Sequence, residues 1–442
     1  MRILFFNRSF YPDPASTGQL LTELCEDLVA VHGHEVTVIA APVRGQRTRR
    51  EGYGLFAFPE SYHGVRILRT RSTKFAKTSF AGRACNYITY FVCALLTGWF
   101  ERRPAIVVTY TDPPIAGLAA WLRARVRRAR FVLVCQDIFP QVAVLLEGFR
   151  KGLVYELLDW VSWFLLYTAD AIVAIGETMR RRLVSVKKAR PEKIRVIHNW
   201  ADCSAIVPGP KDNEFAQAHG LADKFVVMHS GNVGLSQSLE TLVEAAVHLR
   251  EFSDIMIVIV GEGAKKAELQ KKVEDTGLPN VRFLPYQPKE TLDQSFAAAD
   301  VFVVSLKKGM EGYIVPSKVY GILAAGRPFV AAVSEECEAA VIADKYECGL
   351  VARPGDALDL ADKILTLYRD REWCVWRGTR AREAALNYDR KAAASRYQEM
   401  FEELTKGRRS ELDRTTKIRK NEKTEVSELD KTTDIRRRGE GK

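Results

Sequence analysis

The sequence predicts an α/β chain folded as two doubly wound, Rossmann-like parallel-sheet domains that face each other across a cleft. Three observations carry this expectation. Short apolar runs rich in Val and Ile recur from one end of the chain to the other, helix-length segments separate most of them, and a Pro- and Gly-containing join interrupts the rhythm once near the middle. Apolar runs without polar alternation suit strands covered on both faces, and their alternation with helices is the βαβ pattern.

In the first half the runs are Ile3–Phe6, Val36–Ala40, Val65–Leu68, Ile106–Tyr110, Phe131–Cys135, Ala171–Ile175 and Ile194–Ile197, with helical stretches such as Gly18–Val31 and Ile115–Arg125 between them. The join spans Asn199–Leu221 and contains Pro208-Gly209-Pro210 and Asp212-Asn213, which is turn and linker chemistry. The second half repeats the pattern with Phe225–Met228, Ile255–Val260, Val281–Leu284, Val301–Val304, Phe329–Ala332 and Gly349–Val351. Helices are expected at Leu239–Arg250, Lys265–Asp275, Lys289–Ala298, Ser317–Ala325 and Leu358–Tyr368. The resulting division is a domain over 1–200, a second over 201–388, a C-terminal helix over 389–406 and a tail over 407–442. The tail has few large apolar residues and repeats Ser410-Glu-Leu-Asp at Ser427-Glu-Leu-Asp, so it is expected to lack the apolar surface that offsets ordering entropy.

Composition narrows the class. The eight cysteines are scattered, with no Cys-x-x-Cys and no histidines at zinc spacing, so they are expected as reduced core residues of a cytoplasmic protein. No segment reaches the ~18–20 apolar residues of a spanning helix. The net charge of +11 is uneven: residues 1–200 hold 29 Lys/Arg against 16 Asp/Glu, whereas 201–406 hold 25 against 31. A basic first half fits an anionic membrane surface or nucleic acid, but no recognition-helix or aromatic-and-basic sheet motif supports nucleic acid.

The segments able to carry chemistry fall at strand ends. Val315-Pro316-Ser317-Lys318 opens a helix, with Ser317 placed to cap it. Lys318 sits in the first turn, where a cation opposes the helix dipole unless an anion accompanies it; a diphosphate would use both. Ser230-Gly231-Asn232-Val233-Gly234 and Gly261-Glu262-Gly263 mark two further strand-to-helix turns where backbone can approach a ligand. On the facing rim, Tyr11–Gly18 is a long polar loop opening a helix at Gly18, Asp137 ends another strand, and His198-Asn199-Trp200 lies at the hinge of the cleft. No Asp-x-Asp triplet occurs, so no metal or other cofactor is expected, and Lys318 with backbone dipoles is expected to hold the leaving group.

Taken together, Phe10-Tyr-Pro-Asp-Pro-Ala-Ser-Thr-Gly-Gln-Leu-Leu, Gly33-His-Glu-Val-Thr-Val, Gln136-Asp-Ile-Phe-Pro, Ser230-Gly-Asn-Val-Gly and Pro316-Ser-Lys-Val-Tyr-Gly-Ile-Leu-Ala-Ala-Gly-Arg-Pro resemble family 4 glycosyltransferases of the GT-B fold. The likeness covers roughly residues 1–405 and is nearest the branch that builds O-antigen and colanic-acid-type polysaccharides. It implies a retaining, metal-independent transfer from a nucleotide-sugar donor, taken here as UDP-linked, to a lipid-linked saccharide at the inner face of the cytoplasmic membrane. It also implies Pro316, Ser317 and Lys318 at the diphosphate, Gly231, Asn232 and Gly234 beside it, and Gly261, Gly263 and Tyr286 along the base and ribose. Departures are visible: of the family's two glutamates with seven residues between them, the second falls at Gly321 and the first at Tyr313, with Glu311 two residues early. The diphosphate arginine falls at Leu235 and the first-domain histidine at Gln136 or Asp137, leaving Asp137, Glu311 and Lys318 as candidate catalytic groups. Two other functions fit a similar architecture, a sugar-nucleotide 2-epimerase and a nucleotide-sugar binder without catalysis.

Two aromatic, apolar segments, Cys85–Phe100 and Val154–Tyr167, are flanked by Arg66, Arg69, Arg71, Lys74, Lys77, Arg83, Arg102, Arg103 and Arg180–Arg182. They read either as core helices or as helices lying at a lipid interface.

Overall fold

The computed structural model describes residues 1–13, 15–43, 55–75 and 80–406; the repeat-bearing tail and Lys77 lie outside them. The first half runs β1 (Arg2–Phe6), α1 (Ser16–Ala30), β2 (Glu35–Ala40), β3 (Ala57–Tyr62), β4 (Val65–Thr70), α2 (Phe80–Phe100) and β5 (Ile106–Tyr110). It continues through α3 (Ala116–Arg127), β6 (Arg130–Cys135), α4 (Gln141–Glu147), α5 (Leu153–Thr168), β7 (Ala171–Ala174), α6 (Glu177–Ser185) and β8 (Ile194–Val196). The second half holds α7 (Glu214–Ala218), β9 (Phe225–Ser230), α8 (Glu240–Leu249), β10 (Ile255–Val260), α9 (Lys266–Thr276), β11 (Val281–Leu284), α10 (Leu292–Ala297) and β12 (Val301–Ser305). Then follow α11 (Lys318–Ala324), β13 (Phe329–Ala332), α12 (Glu338–Lys345), β14 (Gly349–Ala352), α13 (Ala357–Arg369) and α14 (Arg371–Ala385). Residues Met1–Ser395 form one compact unit, and residues 396–406, outside it, are helical.

Two sheets fill the large unit, in the orders β3-β4-β2-β1-β5-β6-β7-β8 and β11-β10-β9-β12-β13-β14. All pairings are parallel except β3 with β4. The expected strands are present, and their all-buried patterns at β5, β10 and β12 match their unbroken apolar sequence. β3 was not expected, because Ala57-Phe-Pro-Glu-Ser-Tyr is neither a continuous apolar run nor a clean alternation. It is an edge strand, where Pro59 is tolerated, and His63-Gly64, both at positive φ, turn it back onto β4.

Each sheet reverses its winding once, between β1 and β5 in the first and between β9 and β12 in the second. Ligands of open parallel sheets bind at such switch points, beyond the carboxyl ends of the strands. The turns after β9 and β12 are the Gly231 turn and the loop leading to Lys318, so topology brings two separate sequence signals together.

Candidate active site

At the second switch point, Lys318 Nζ lies 3.0 Å from Nε2 of His229, the next-to-last residue of β9. A Cβ on Gly231, whose φ is +128°, would sit 3.8 Å from the same amine. Among the described residues Lys318 has no carboxylate partner. Burial alone therefore pulls its pKa down to about 7. Burial, with the Lys318 charge beside it, holds fully buried His229 well below its usual range, so the imidazole is neutral and can accept from the ammonium. The site thus presents one desolvated amine beside a backbone turn, with no anion of its own to neutralise it.

The glycines have distinguishable reasons. A Cβ at Gly261 would lie 1.9 Å from the Gly231 carbonyl oxygen, and one at Gly263 2.1 Å from that of Val233. The two turns nest back to back, with Val233 N donating to Glu262 O and Lys265 N to Val233 O. Gly261 and Gly263 thereby hold the Gly231 turn in place. Asn232 is exposed beside Gly234, whose N–H donates to Gln237 Oε1.

Pro316 is buried ahead of α11. The expected cap at Ser317 is not made: its backbone is already helical and its side chain bonds no α11 amide. Instead its Oγ lies 3.4 Å from Ser16 Oγ in the first turn of α1, so the hydroxyl is spent across the cleft. Gln19 Nε2 likewise reaches the exposed Tyr286 hydroxyl at 3.5 Å. Gly18 is buried between them in sequence, where a Cβ would press on Ser9 at 3.3 Å.

The facing rim is organised by charge. Arg8, after β1, pairs with Asp112, after β5, at 3.0 Å, bridging the first switch point. Asp137, after β6, has its carboxyl pushed up to about 7 by burial and then by the Asp112 charge. Its backbone forms an isolated bridge with Ile314, and Ile138 N donates to Tyr313 O. The first half therefore touches the loop that delivers Lys318. Glu311 lies in that loop but is buried, accepting from Ser334 Oγ at 2.6 Å. At Gly321 a Cβ would stand 3.0 Å from the Phe296 ring, so an aromatic closes the space next to that position.

Sequence reasoning missed Glu338. From the start of α12 it crosses to the first half, where its buried carboxylate accepts from Thr178 Oγ1 at 3.1 Å and meets His198 Nε2 at 3.0 Å. A Cβ at Gly176 would strike it at 2.6 Å. Beside it Arg182 Nε donates to Glu311 O, and Gly312, at φ +74°, fits under α6. Arg182 is thus an internal tie rather than a surface cation. Arg69 is another: it pairs with Glu60 and donates to the Ala41 and Tyr11 carbonyls. The available signals were His198 at the strand end and a glutamate opening a helix; neither names its partner.

Among the described residues no group of His, Cys, Asp and Glu could hold a metal ion, and no helix is long and apolar enough to cross a membrane.

Two Rossmann-like sheets with a lysine-bearing switch point define a GT-B glycosyltransferase architecture. Residues 17–205 match the model of Glycosyltransferase Family 4 and residues 211–384 that of Glycosyl transferases group 1. The chain belongs to this glycosyltransferase family. It is 27% identical over 335 residues to WcaI of Escherichia coli K12, whose name ties it to colanic acid biosynthesis and glycosyl transfer; the match covers 74% of this chain and 82% of that one. It is 29% identical over 265 residues to WbjE of Pseudomonas aeruginosa, named as a glycosyltransferase, covering 60% of this chain and 66% of that one. Anabaena Alr3699/HepE, solved in complex with UDP, superposes with a TM-score of 0.69 at 16% identity, over 91% of this chain and all of that one.

Proposed function

We propose that the chain transfers a sugar, with retention and without a bound metal, from a nucleoside diphosphate donor to a lipid-linked saccharide in cell-surface polysaccharide assembly. On this reading residues 201–388 hold the donor and residues 1–200 the acceptor. The carrying observation is the half-buried Lys318 amine with no carboxylate partner among the described residues, at the switch point between β9 and β12. A diphosphate supplies the missing charge, and its negative charge grows as the glycosidic bond breaks, so the ammonium and the Gly231 turn stabilise the departing group more than the bound donor. The complex of Alr3699/HepE with UDP makes a uridine donor the first to test. Asp137, whose carboxyl is pushed up to about 7, holds the acceptor hydroxyl on the opposite rim. Lys318→Ala should weaken UDP binding by about tenfold or more, since a charge-assisted hydrogen bond contributes ~1.5–3 kcal/mol. Calorimetry with UDP measures this, and unchanged affinity removes Lys318 from the site.

The acceptor side rests on α5. Leu153 is 91% exposed, Trp160 53% and Tyr167 51%, with Leu157 and Trp163 on the same helix, while Val161, Leu165 and Leu166 pack inward. Arg150 and Lys151 are exposed just before it, and Arg190 lies over the Tyr167 ring. A helix with a buried apolar stripe and an equally apolar, aromatic outer stripe beside cations suits a lipid headgroup boundary. α2 differs: Tyr90 is fully buried and, among its described large apolar side chains, only Ile88, Val92, Trp99 and Phe100 are exposed. Sedimentation with anionic vesicles should fall when Trp160 and Trp163 are both replaced by Ser. Retention of full binding by that variant assigns the lipid contact elsewhere.

A further inference from the structure

The second sheet has another edge. At the amino-terminal ends of its strands, next to Phe225, which begins β9, and Asp300, which precedes β12, a cavity of about 330 Å³ opens between the linker and α14. It lies a full length of β9 from the Gly231 turn, roughly 17 Å at ~3.3 Å per residue. Its volume falls within the ~300–1,000 Å³ typical of small-molecule sites.

Three arginines line it, Arg327, Arg371 and Arg382. The carboxylate in the wall, Asp300, is already engaged, accepting from Lys211 Nζ at 2.6 Å and from Val226 N at 2.7 Å. Arg327 and Arg382 have no ion-pair partner among the described residues, and exposed Arg371 has only a long pair with Asp254, at 3.7 Å. Arg327 and Arg382 give N–H groups to backbone carbonyls, Arg327 to Gly209 and Ala297, and Arg382 to Cys203, Ile206 and Ala324. Those bonds fix the groups without neutralising them. Arg327 Nε is buried and has no partner among the described residues. Arg371 donates no hydrogen bond there and is held instead over the rings of Phe225, at 4.0 Å, and Tyr368, at 4.5 Å.

Like charges converging on one cavity repel, and partial burial strips Arg327 and Arg382 of hydration. A tetrahedral anion relieves both costs, because fork-shaped guanidinium donors match phosphate oxygens. The cavity is larger than a bare phosphate needs, and Pro208, Phe225 and Val375 give it apolar walls suited to a ring's carbon skeleton. We propose that this cavity binds a small phosphorylated metabolite of the sugar-phosphate class, at a second site separate from the donor cleft. Arg382 joins the site to the active centre through the fold: it ties the linker carbonyls of Cys203 and Ile206 to Ala324, the last residue of the helix that begins at Lys318.

The test is calorimetric titration of glucose 1-phosphate, and separately of inorganic phosphate, into Lys318→Ala, in which the donor cleft has lost its ammonium. Saturable binding of the sugar phosphate is expected, tighter than that of inorganic phosphate. Adding Arg371→Ala should weaken it at least tenfold. Val375→Trp, which fills the cavity mouth and leaves every charge in place, should do the same, and circular dichroism checks that both variants fold. The proposal is overturned by the absence of saturable binding in Lys318→Ala or by binding that survives both cavity variants. Equal affinity for inorganic phosphate overturns the assignment of a sugar-bearing ligand.

Discussion

The two switch points of this molecule are opposites in charge economy. In the first sheet the loops after β1 and β5 bring Arg8 to Asp112 at 3.0 Å, so the cation already has its counter-ion. In the second, the loops after β9 and β12 bring Lys318 to a neutral imidazole and a glycine turn, with no counter-ion among the described residues. A compensated rim has no need of a charged ligand and suits neutral hydroxyls. An uncompensated, partly desolvated amine is costly until an anion arrives, which is the property wanted where a diphosphate must bind and leave. On the proposed function, this difference assigns the acceptor to the first sheet and the donor to the second.

The largest effect that could break this comparison is at Asp137. If its carboxyl holds the acceptor hydroxyl, Asp137→Asn should lower kcat by about 10²–10⁴, the usual range for a positioned proton-handling group, with UDP affinity unchanged. Initial-rate kinetics with a saturating donor decide it. Loss of UDP affinity instead would move Asp137 to the donor side.

The pH dependence of UDP binding sharpens the other rim. In the free protein the Lys318 amine titrates near 7, and a bound diphosphate raises that value. The charge contribution to binding is therefore complete below about pH 7 and is lost as pH rises toward the pKa of the complex. Affinity should drop by up to about tenfold per pH unit across that window, and the slope should vanish in Lys318→Ala. A flat calorimetric profile from pH 6.5 to 8.5 would mean the amine stays charged without donor.

A smaller effect concerns stability. Because folding lowers the Lys318 pKa, the unfolded chain binds the extra proton between about pH 7 and the ordinary lysine value, and the half-buried amine destabilises the unliganded fold at neutral pH. Lys318→Met should raise the melting temperature of the donor-free protein, by about 2–4 °C for each kcal/mol recovered in a domain of this size class, while abolishing stabilisation by UDP. A lower melting temperature would show that the amine is already compensated.

The smallest effect is expected at the seam between the halves. Glu338→Gln keeps the shape but removes the charge facing His198. It should cost about 1–2 kcal/mol of stability with little change in kcat. Chemical denaturation measures it, and a kcat loss comparable to that of Asp137→Asn would assign the carboxylate to the chemistry.

What the sequence determined by itself is the architecture and the location of the two turns that meet at the second switch point. Parallel strands buried on both faces must be written as apolar runs, and Pro316-Ser317-Lys318 and Gly231–Gly234 are local signals because turns and helix starts are built by neighbours in sequence. Edge strand β3 escaped because an edge tolerates Pro59 and Glu60. Only the tertiary structure decided which charges are compensated. Arg8 meets Asp112 from 104 residues away, Glu338 meets His198 from 140, and His229 reaches Lys318 across 89. Whether a lysine is solvated, paired or left waiting for an anion depends on those long-range neighbours and on burial, and neither is written in the residues adjacent to it.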